Sequence, residues 1–196
     1  MSTPTTPARR TDPLTAWRRS AAPFTAEVEA VADWDAPSPC EGWSARDVLA
    51  HVIDTEQEFL TRVGLAPEGA SGPTADAPAA RWSDHLAVVD ALLADPAIAG
   101  RSHDGAFGPT TVGAVLTEFY GFDLVVHRWD LARSQGREVR FDAQELSLLD
   151  ASVDSWGEHA YAPGVFGSPL ELPEGADAQT RVLARMGRRE IGRAHV

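Results

Sequence analysis

Apolar residues recur at helical spacing along most of this chain, and no stretch alternates in the two-residue rhythm of a half-buried strand. That pattern confines the fold to helices packed on helices. Turn-forming residues mark the breaks. A first helix is predicted over Pro13 to Ala32, with Trp17, Phe24, Val28 and Val31 facing inward and Pro23 as a kink. The stretch from Asp35 to Trp43 holds two prolines and a glycine and reads as loop. Ser44 then caps a second helix, with Asp47 at the capping-box position, which runs to about Val63 and stops before Gly64 and Pro67. A Gly/Pro/Ala link from Pro67 to Pro78 leads to a third helix near Ala79 to Ala94, carrying Trp82, Leu86, Val89, Leu92 and Leu93 and ended by Asp95-Pro96.

The segment from Gly100 to Pro109 reads as a glycine-rich loop, and its Gly105-Ala-Phe-Gly108 is no phosphate signature because no strand precedes it. A long fourth helix starts at Thr110 or Thr111 and runs to about Gln135, stopped by Gly136. A fifth covers Asp142 to Tyr161, followed by an extended Pro/Gly segment from Ala162 to Gly175 and a short last helix near Ala178 to Met186. The expected architecture is all-α, a four-helix bundle with an additional short C-terminal helix. Residues 1–12 are expected to be a disordered lead-in, 13–187 the bundle and 188–196 a tail. The last six residues, Ile191 to Val196, match one reading frame of a common sequencing adapter and are set aside as non-native, His195 with them.

Charge narrows the partners. With 17 basic and 29 acidic side chains the net charge is −12, and a chain without a basic cluster gains nothing from displacing counterions on nucleic acid or from an anionic membrane. No apolar run approaches the roughly 20 residues that span a bilayer. One cysteine, Cys40, allows no internal disulfide and fits a reducing cytoplasm. All the basic residues are arginine and asparagine is absent, a depletion of AT-rich codons that points to a high-GC genome.

The fourth helix carries the informative anomaly. At 100° per residue from Val112, the apolar Val112, Val115, Leu116, Phe119 and Val126 fall between about −60° and +40°. On the same wheel Asp123 falls at about +20°, His127 at about +60° and Asp130 near zero, whereas Arg128 falls at about 160°, on the solvent side. A carboxylate left charged inside a bundle costs several kcal/mol unless it is paired or protonated. Asp123 and His127, one turn apart, have the spacing that lets an oxygen and an imidazole nitrogen meet one metal. The same spacing also makes an ordinary hydrogen bond. His51, on the flank of the apolar arc Val48, Leu49, Val52, Phe59 and Val63 of the second helix, would complete a two-histidine, one-carboxylate set with coordination positions left open.

The remaining polar candidates read as structural. Cys40, just before a helix N-terminus, is expected to be a packed loop residue rather than a nucleophile or thiolate ligand. His85 and His103 are expected at the surface or boundary, with His103 a lesser candidate for touching substrate. Glu158 and His159 have no supporting spacing. Core packing is the first reading of Trp43 and Trp129, with a cavity wall the sharper one, and Ser44 is a cap.

Pro39-Cys-Glu-Gly-Trp-Ser-Ala-Arg-Asp-Val-Leu-Ala-His51, together with Asp123-Leu-Val-Val-His-Arg-Trp-Asp-Leu-Ala132, resembles the metal-binding domain of mycothiol-dependent maleylpyruvate isomerases, part of the DinB/YfiT-like four-helix superfamily. The resemblance covers about Leu14 to Met186. It implies a DinB-like bundle in which His51, Asp123 and His127 bind zinc, or another divalent ion such as Ni2+ or Fe2+. By its own spacing Asp130 is placed either to accept the other ring N–H of His127 or, equally, to bond within its helix or across to another. The resemblance also implies mycothiol as cofactor, and the arginine-rich, high-GC composition suits an actinobacterial source. The family's isomerase has glutamate where Asp123 stands, one methylene longer. It also has a further C-terminal domain, whereas about 60 residues follow Gly136 here, so maleylpyruvate isomerisation itself is not the expected reaction. Two functions stay open: a metal-dependent thiol S-transferase or isomerase acting on an electrophilic small molecule, and a non-catalytic metal- or ligand-binding bundle. The expected partners are small molecules, with a homodimer left open.

Overall fold

The computed structural model describes residues 12–66, 77–105, 108–162, 165–172 and 174–188. Most of the expected lead-in, most of the link after Pro67, two residues of the glycine-rich segment and the stretch Ile191 to Val196 lie outside them. The described chain is mostly helical, as the periodicity predicts.

Local chemistry fixes the helix ends. Helix α1 (Pro13–Glu29) begins with proline at its first position, where no N–H is needed, and the Asp12 carboxylate accepts the Thr15 amide at 3.0 Å. It continues through Pro23 and buries Trp17, Ala21, Phe24 and Val28. Helix α2 (Ala45–Arg62) opens with the predicted capping box between Ser44 and Asp47 and ends ahead of Gly64, whose φ of 67° turns the chain out of the helix. Helix α3 (Pro78–Ala94) buries Trp82, His85, Val89 and Leu93, and α4 (Pro96–Ala99) adds one turn capped by Asp95.

The segment expected as loop forms a two-stranded antiparallel hairpin, β1 (Ser102–Gly105) with β2 (Gly108–Thr111), paired from Ser102 opposite Thr111 to Gly105 opposite Gly108. Its residues carry no alternation. The pairing is set by the closely held ends of the elements it joins: the Val112 amide donates to Arg101 O at 3.0 Å, and Gly113 lies so near α4 that a Cβ there would stand 2.9 Å from Ala99 O.

The predicted fourth helix is one continuous run of three parts: α5 (Val112–Ala114), a π-helical segment (Val115–Tyr120) and α6 (Gly121–Ser134). A π turn holds one residue more than an α turn, so the wheel slips within it. Phe119, expected inside, is 46% exposed, while Val112, Leu116 and Val126 keep their buried places.

Helices α1, α2, α3 and α6 pack on one another as the four-helix bundle. Its core joins Trp17, Phe24, Val52, Ile53, Trp82 and Leu124, each large side chain adding about 1.5–3 kcal/mol by leaving water. Trp82 stands edge-on to Phe24 with ring centres 4.8 Å apart and donates its indole N–H to Thr25 Oγ1 at 2.9 Å. Helix α7 (Ala143–Trp156) continues as a 3-10 turn (Gly157–Tyr161) and, with α8 (Ala178–Arg185), covers the opposite side of α6. Phe122, Val125, Trp129, Leu149, Val153 and Val182 form this second apolar cluster.

That second layer corrects the expectation for Arg128. It is 8% exposed, and its guanidinium grips both oxygens of Glu145, at 2.8 and 2.9 Å, from the first turn of α7. Buried on both sides, α6 has no solvent face at this level. No helix of the described residues is long and apolar enough to cross a membrane.

Candidate metal centre

Helix spacing assembles the centre. Asp123 and His127 are one turn apart on α6, and His51 faces them from α2. His127 Nε2 lies 3.3 Å from Asp123 Oδ1, and His51 Nε2 lies 3.7 Å from Asp123 Oδ2. The two imidazoles meet edge to face, ring centres 5.2 Å apart. The loop before α2 supplies a wall. Its turn closes through Trp43 N to Cys40 O at 3.0 Å and Ser38 N to Trp43 O at 2.8 Å, with Gly42 at φ 80°. The Trp43 ring is thereby placed 4.9 Å from His51 and 6.4 Å from His127, centre to centre. Trp129, by contrast, is core of the second cluster.

Behind His127 sits a buried polar chain. Its Nδ1 is 2.9 Å from Oδ2 of Asp130, a side chain fully shielded from solvent. Arg188, placed in the tail by the sequence pattern, folds in from beyond α8. Its Nε donates to both Asp130 oxygens, at 3.1 and 3.0 Å, and its Nη2 donates to Oδ2 at 2.9 Å. Cys40 also joins this group, its thiol donating to Asp130 Oδ2 at 3.4 Å with Arg188 Nη2 3.8 Å from the sulfur. The expectation of a plain packed loop residue is therefore corrected: Cys40 touches the charged pair behind the donors.

Each ionisation follows from these neighbours. Burial alone would raise Asp130, but Arg188 and then His127 more than offset it and hold the carboxyl down at about 2. An ionised carboxylate can only accept, so the proton on Nδ1 belongs to His127. Burial likewise disfavours charge on His127, yet Asp123 first, then Asp130 and Cys40, raise it well above the usual imidazole value. Burial would raise Asp123 too, but His127 and His51 bring it below the ordinary carboxylate value. Burial lowers His51, with Asp123 opposing. The centre thus pairs an ionised Asp123 with a histidine that holds a cationic proton at Nε2.

A divalent metal can replace that proton. The donor atoms of His51, Asp123 and His127 all lie within 4.8 Å of one another. A four-coordinate ion with ligands at about 2.0–2.2 Å keeps neighbouring donors roughly 3 to 3.6 Å apart. The contacts of 3.3 and 3.7 Å already approach that spacing. The donor set, two neutral nitrogens and one carboxylate, suits zinc and related ions, and the protonated Nδ1 leaves Nε2 as the coordinating atom. Cys40, His127 and Asp130 form a second close group, but the Arg188 guanidinium already brings a positive charge to it.

One further expectation needs correction. His85, expected at the boundary, is buried in α3, its Nε2 2.7 Å from Glu56 Oε2 in α2. Glu56 escaped attention although its position falls inside the apolar arc of α2, a signal the helical wheel contained. His103 stands in β1 against Phe59, ring centres 5.5 Å apart. Glu158 and His159 are exposed on the 3-10 turn, and Ser44 acts as the cap it was expected to be. Arg188 had one detectable signal, the glycine before it at the end of a helical pattern.

Residues 14–132 match the sequence model of a family described as the mycothiol maleylpyruvate isomerase N-terminal domain. The matched span holds α1 to most of α6, and with them His51, Asp123, His127 and Asp130; α7, α8 and Arg188 lie beyond it. No curated protein and no solved structure matches the chain.

Proposed function

From a chain that belongs to the mycothiol maleylpyruvate isomerase N-terminal domain family, we propose a protein that binds one divalent metal through His51, Asp123 and His127 and uses it to activate a low-molecular-weight thiol. Zinc is the favoured ion because two imidazole nitrogens and one carboxylate suit it, and mycothiol the favoured thiol because the family is mycothiol-related. The observation that carries this reading is the convergence of three donors from two helices on one point, with Asp130 fixing the inner histidine.

When bound, the metal would lower the pKa of a thiol at an open coordination position, so that the thiol stands as a thiolate ready to attack an electrophilic carbon. The protein's own residues prepare that step. Asp130 holds the proton on Nδ1 of His127. Asp123 supplies the single carboxylate charge, which leaves a divalent ion with net positive charge to attract an anionic ligand. Trp43 lies over both histidine rings and keeps that side of the centre apolar. The reaction class is S-transfer or thiol-assisted isomerisation, carried out in the cytoplasm, where reduced thiols of this kind accumulate.

Metal analysis of purified protein and of His51→Ala and His127→Ala tests the centre. About one equivalent in the parent and a clear loss in both variants is expected, and equal content in all three rejects it. Titrating the cobalt-loaded protein with mycothiol, bacillithiol and glutathione tests the chemistry. A thiolate-to-cobalt band is expected with mycothiol. Metal binding without any thiol response would favour a non-catalytic metal-binding bundle instead.

A further inference from the structure

Arg188 lies outside the span that matches the family, yet its side chain is only 9% exposed and its guanidinium makes its three shortest hydrogen bonds to Asp130, with longer contacts to Met186 O at 3.4 Å and Cys40 Sγ at 3.8 Å. The chain is shaped to deliver it. Gly187 has φ 74°, and a Cβ there would stand 2.7 Å from the backbone of Gly167, so neither the turn nor the close approach tolerates a side chain. Helix α8 is seated by its own contacts: Gln179 bonds the backbone at Phe141 and Val139, and Val182 and Leu183 enter the second cluster. Arg188 is therefore not needed to dock α8. Its hydrogen bonds go to both oxygens of a carboxylate whose remaining partners are His127 and Cys40.

We propose that Arg188 is a positioning residue of the metal centre, clamping Asp130 so that His127 presents Nε2 to Asp123 and His51. The inference rests on the metal reading above. The planar fork matters. Spanning both oxygens fixes the plane of the carboxylate, and that plane sets the direction in which Oδ2 accepts from Nδ1. A lysine offers one point charge and leaves the carboxylate free to rotate. Without any cation, Asp130 is a buried carboxylate held only by an imidazole and a thiol, and the ring it orients loses its fixed tilt. Groups behind a metal-ligating histidine typically change metal affinity by about 10- to 100-fold.

The test compares the full chain with Arg188→Met and Arg188→Lys, each loaded with Co2+, reading affinity by chelator competition and geometry from the visible d–d bands, with melting of the metal-free proteins as the folding control. Arg188→Met is expected to remain folded, to bind cobalt about 10- to 100-fold more weakly and to show shifted d–d bands. Arg188→Lys is expected to recover part of the affinity with bands between the two. A folded Arg188→Met with parental affinity and spectrum overturns the proposal, as does a loss of melting temperature with the bands unmoved, which marks a purely structural tie. Should Arg188→Met not fold, a parental spectrum and affinity in Arg188→Lys overturns it. Failure of the parent to take up cobalt sinks the metal reading and this inference with it, whereas uptake by the parent with identical variants sinks this inference alone.

Discussion

His127 and Asp123 sit one turn apart on the same helix with Nε2 3.3 Å from Oδ1, so the proton between them occupies the side of the ring that a metal would need. Because Asp123 and Asp130 raise His127 well above its ordinary value despite burial, the metal-free ring is charged at neutral pH. His51, lowered by burial, is neutral there. Metal uptake near pH 7 should release about one proton, and affinity should rise about tenfold per pH unit until the raised His127 value is passed. Calorimetry in buffers of different ionisation enthalpy measures the release; heats that do not depend on the buffer contradict it. The sign for stability is opposite. A raised histidine stabilises the metal-free fold fully below about pH 6.5, and that contribution fades as pH climbs through the folded value.

Asp123→Glu restores the carboxylate length expected from the family resemblance. One added methylene on a side chain that is still about one-fifth exposed has room to adjust, so metal affinity should stay within about tenfold of the parent. Asp123→Ala removes the only charged donor and should abolish binding at stoichiometric metal. Equal affinities for the two variants would remove Asp123 from the donor set.

Arg128→Met breaks the ion pair with Glu145 and the guanidinium contact over the Phe141 ring, 5.7 Å from its centre. Full burial of the orphaned partner would cost about 3–5 kcal/mol, but Glu145 keeps some water, so a loss of about 2–3 kcal/mol is expected. Urea unfolding measures it. Metal content should not change, since α6 is still held by both apolar clusters.

Glu56 is raised above its usual carboxyl value, chiefly by burial, with His85 pulling the other way. An acid with a raised folded value weakens the fold as pH climbs from about 4.3, the unfolded value, toward the folded one. Glu56→Gln keeps a hydrogen-bonding group toward His85 and cannot ionise. Its stability should therefore fall less than the parent's over that pH range, and parallel curves would contradict the assignment.

Gly113→Ala puts a methyl 2.9 Å from Ala99 O and 3.3 Å from its Cβ. The oxygen is backbone in a short helix held at both ends, so it yields little, and about 1–3 kcal/mol of stability should be lost. Thermal melting of the variant checks this.

Short-range rules made much of this legible. The Ser44–Asp47 capping box and the Gly64 and Gly136 stops are local chemistry, and both ends of α2 and the C-terminal end of α6 follow them. The gathering of His51, Asp123 and His127 followed from spacing plus the family resemblance, because residues one turn apart share a face whatever packs on it. Arg128, His85 and Arg188 were not legible for one shared reason. Their burial depends on what arrives from distant sequence: α7 and α8 over Arg128, α2 over His85, and the turn after α8 for Arg188. The hairpin shows the same limit, since Ser102 to Thr111 pair because α4 and α5 hold their ends together.

The π segment from Val115 to Tyr120 gives the long helix two independent rotational settings. Upstream, the Gly113 contact with α4 sets the angle; downstream, the metal donors and two apolar clusters set it. Deleting one residue inside the segment would remove the surplus residue of the π turn and let the run regularise as α-helix with both halves keeping their settings. A one-residue change of length between the hairpin and the site is therefore taken up inside the segment, without turning one around the axis relative to the other.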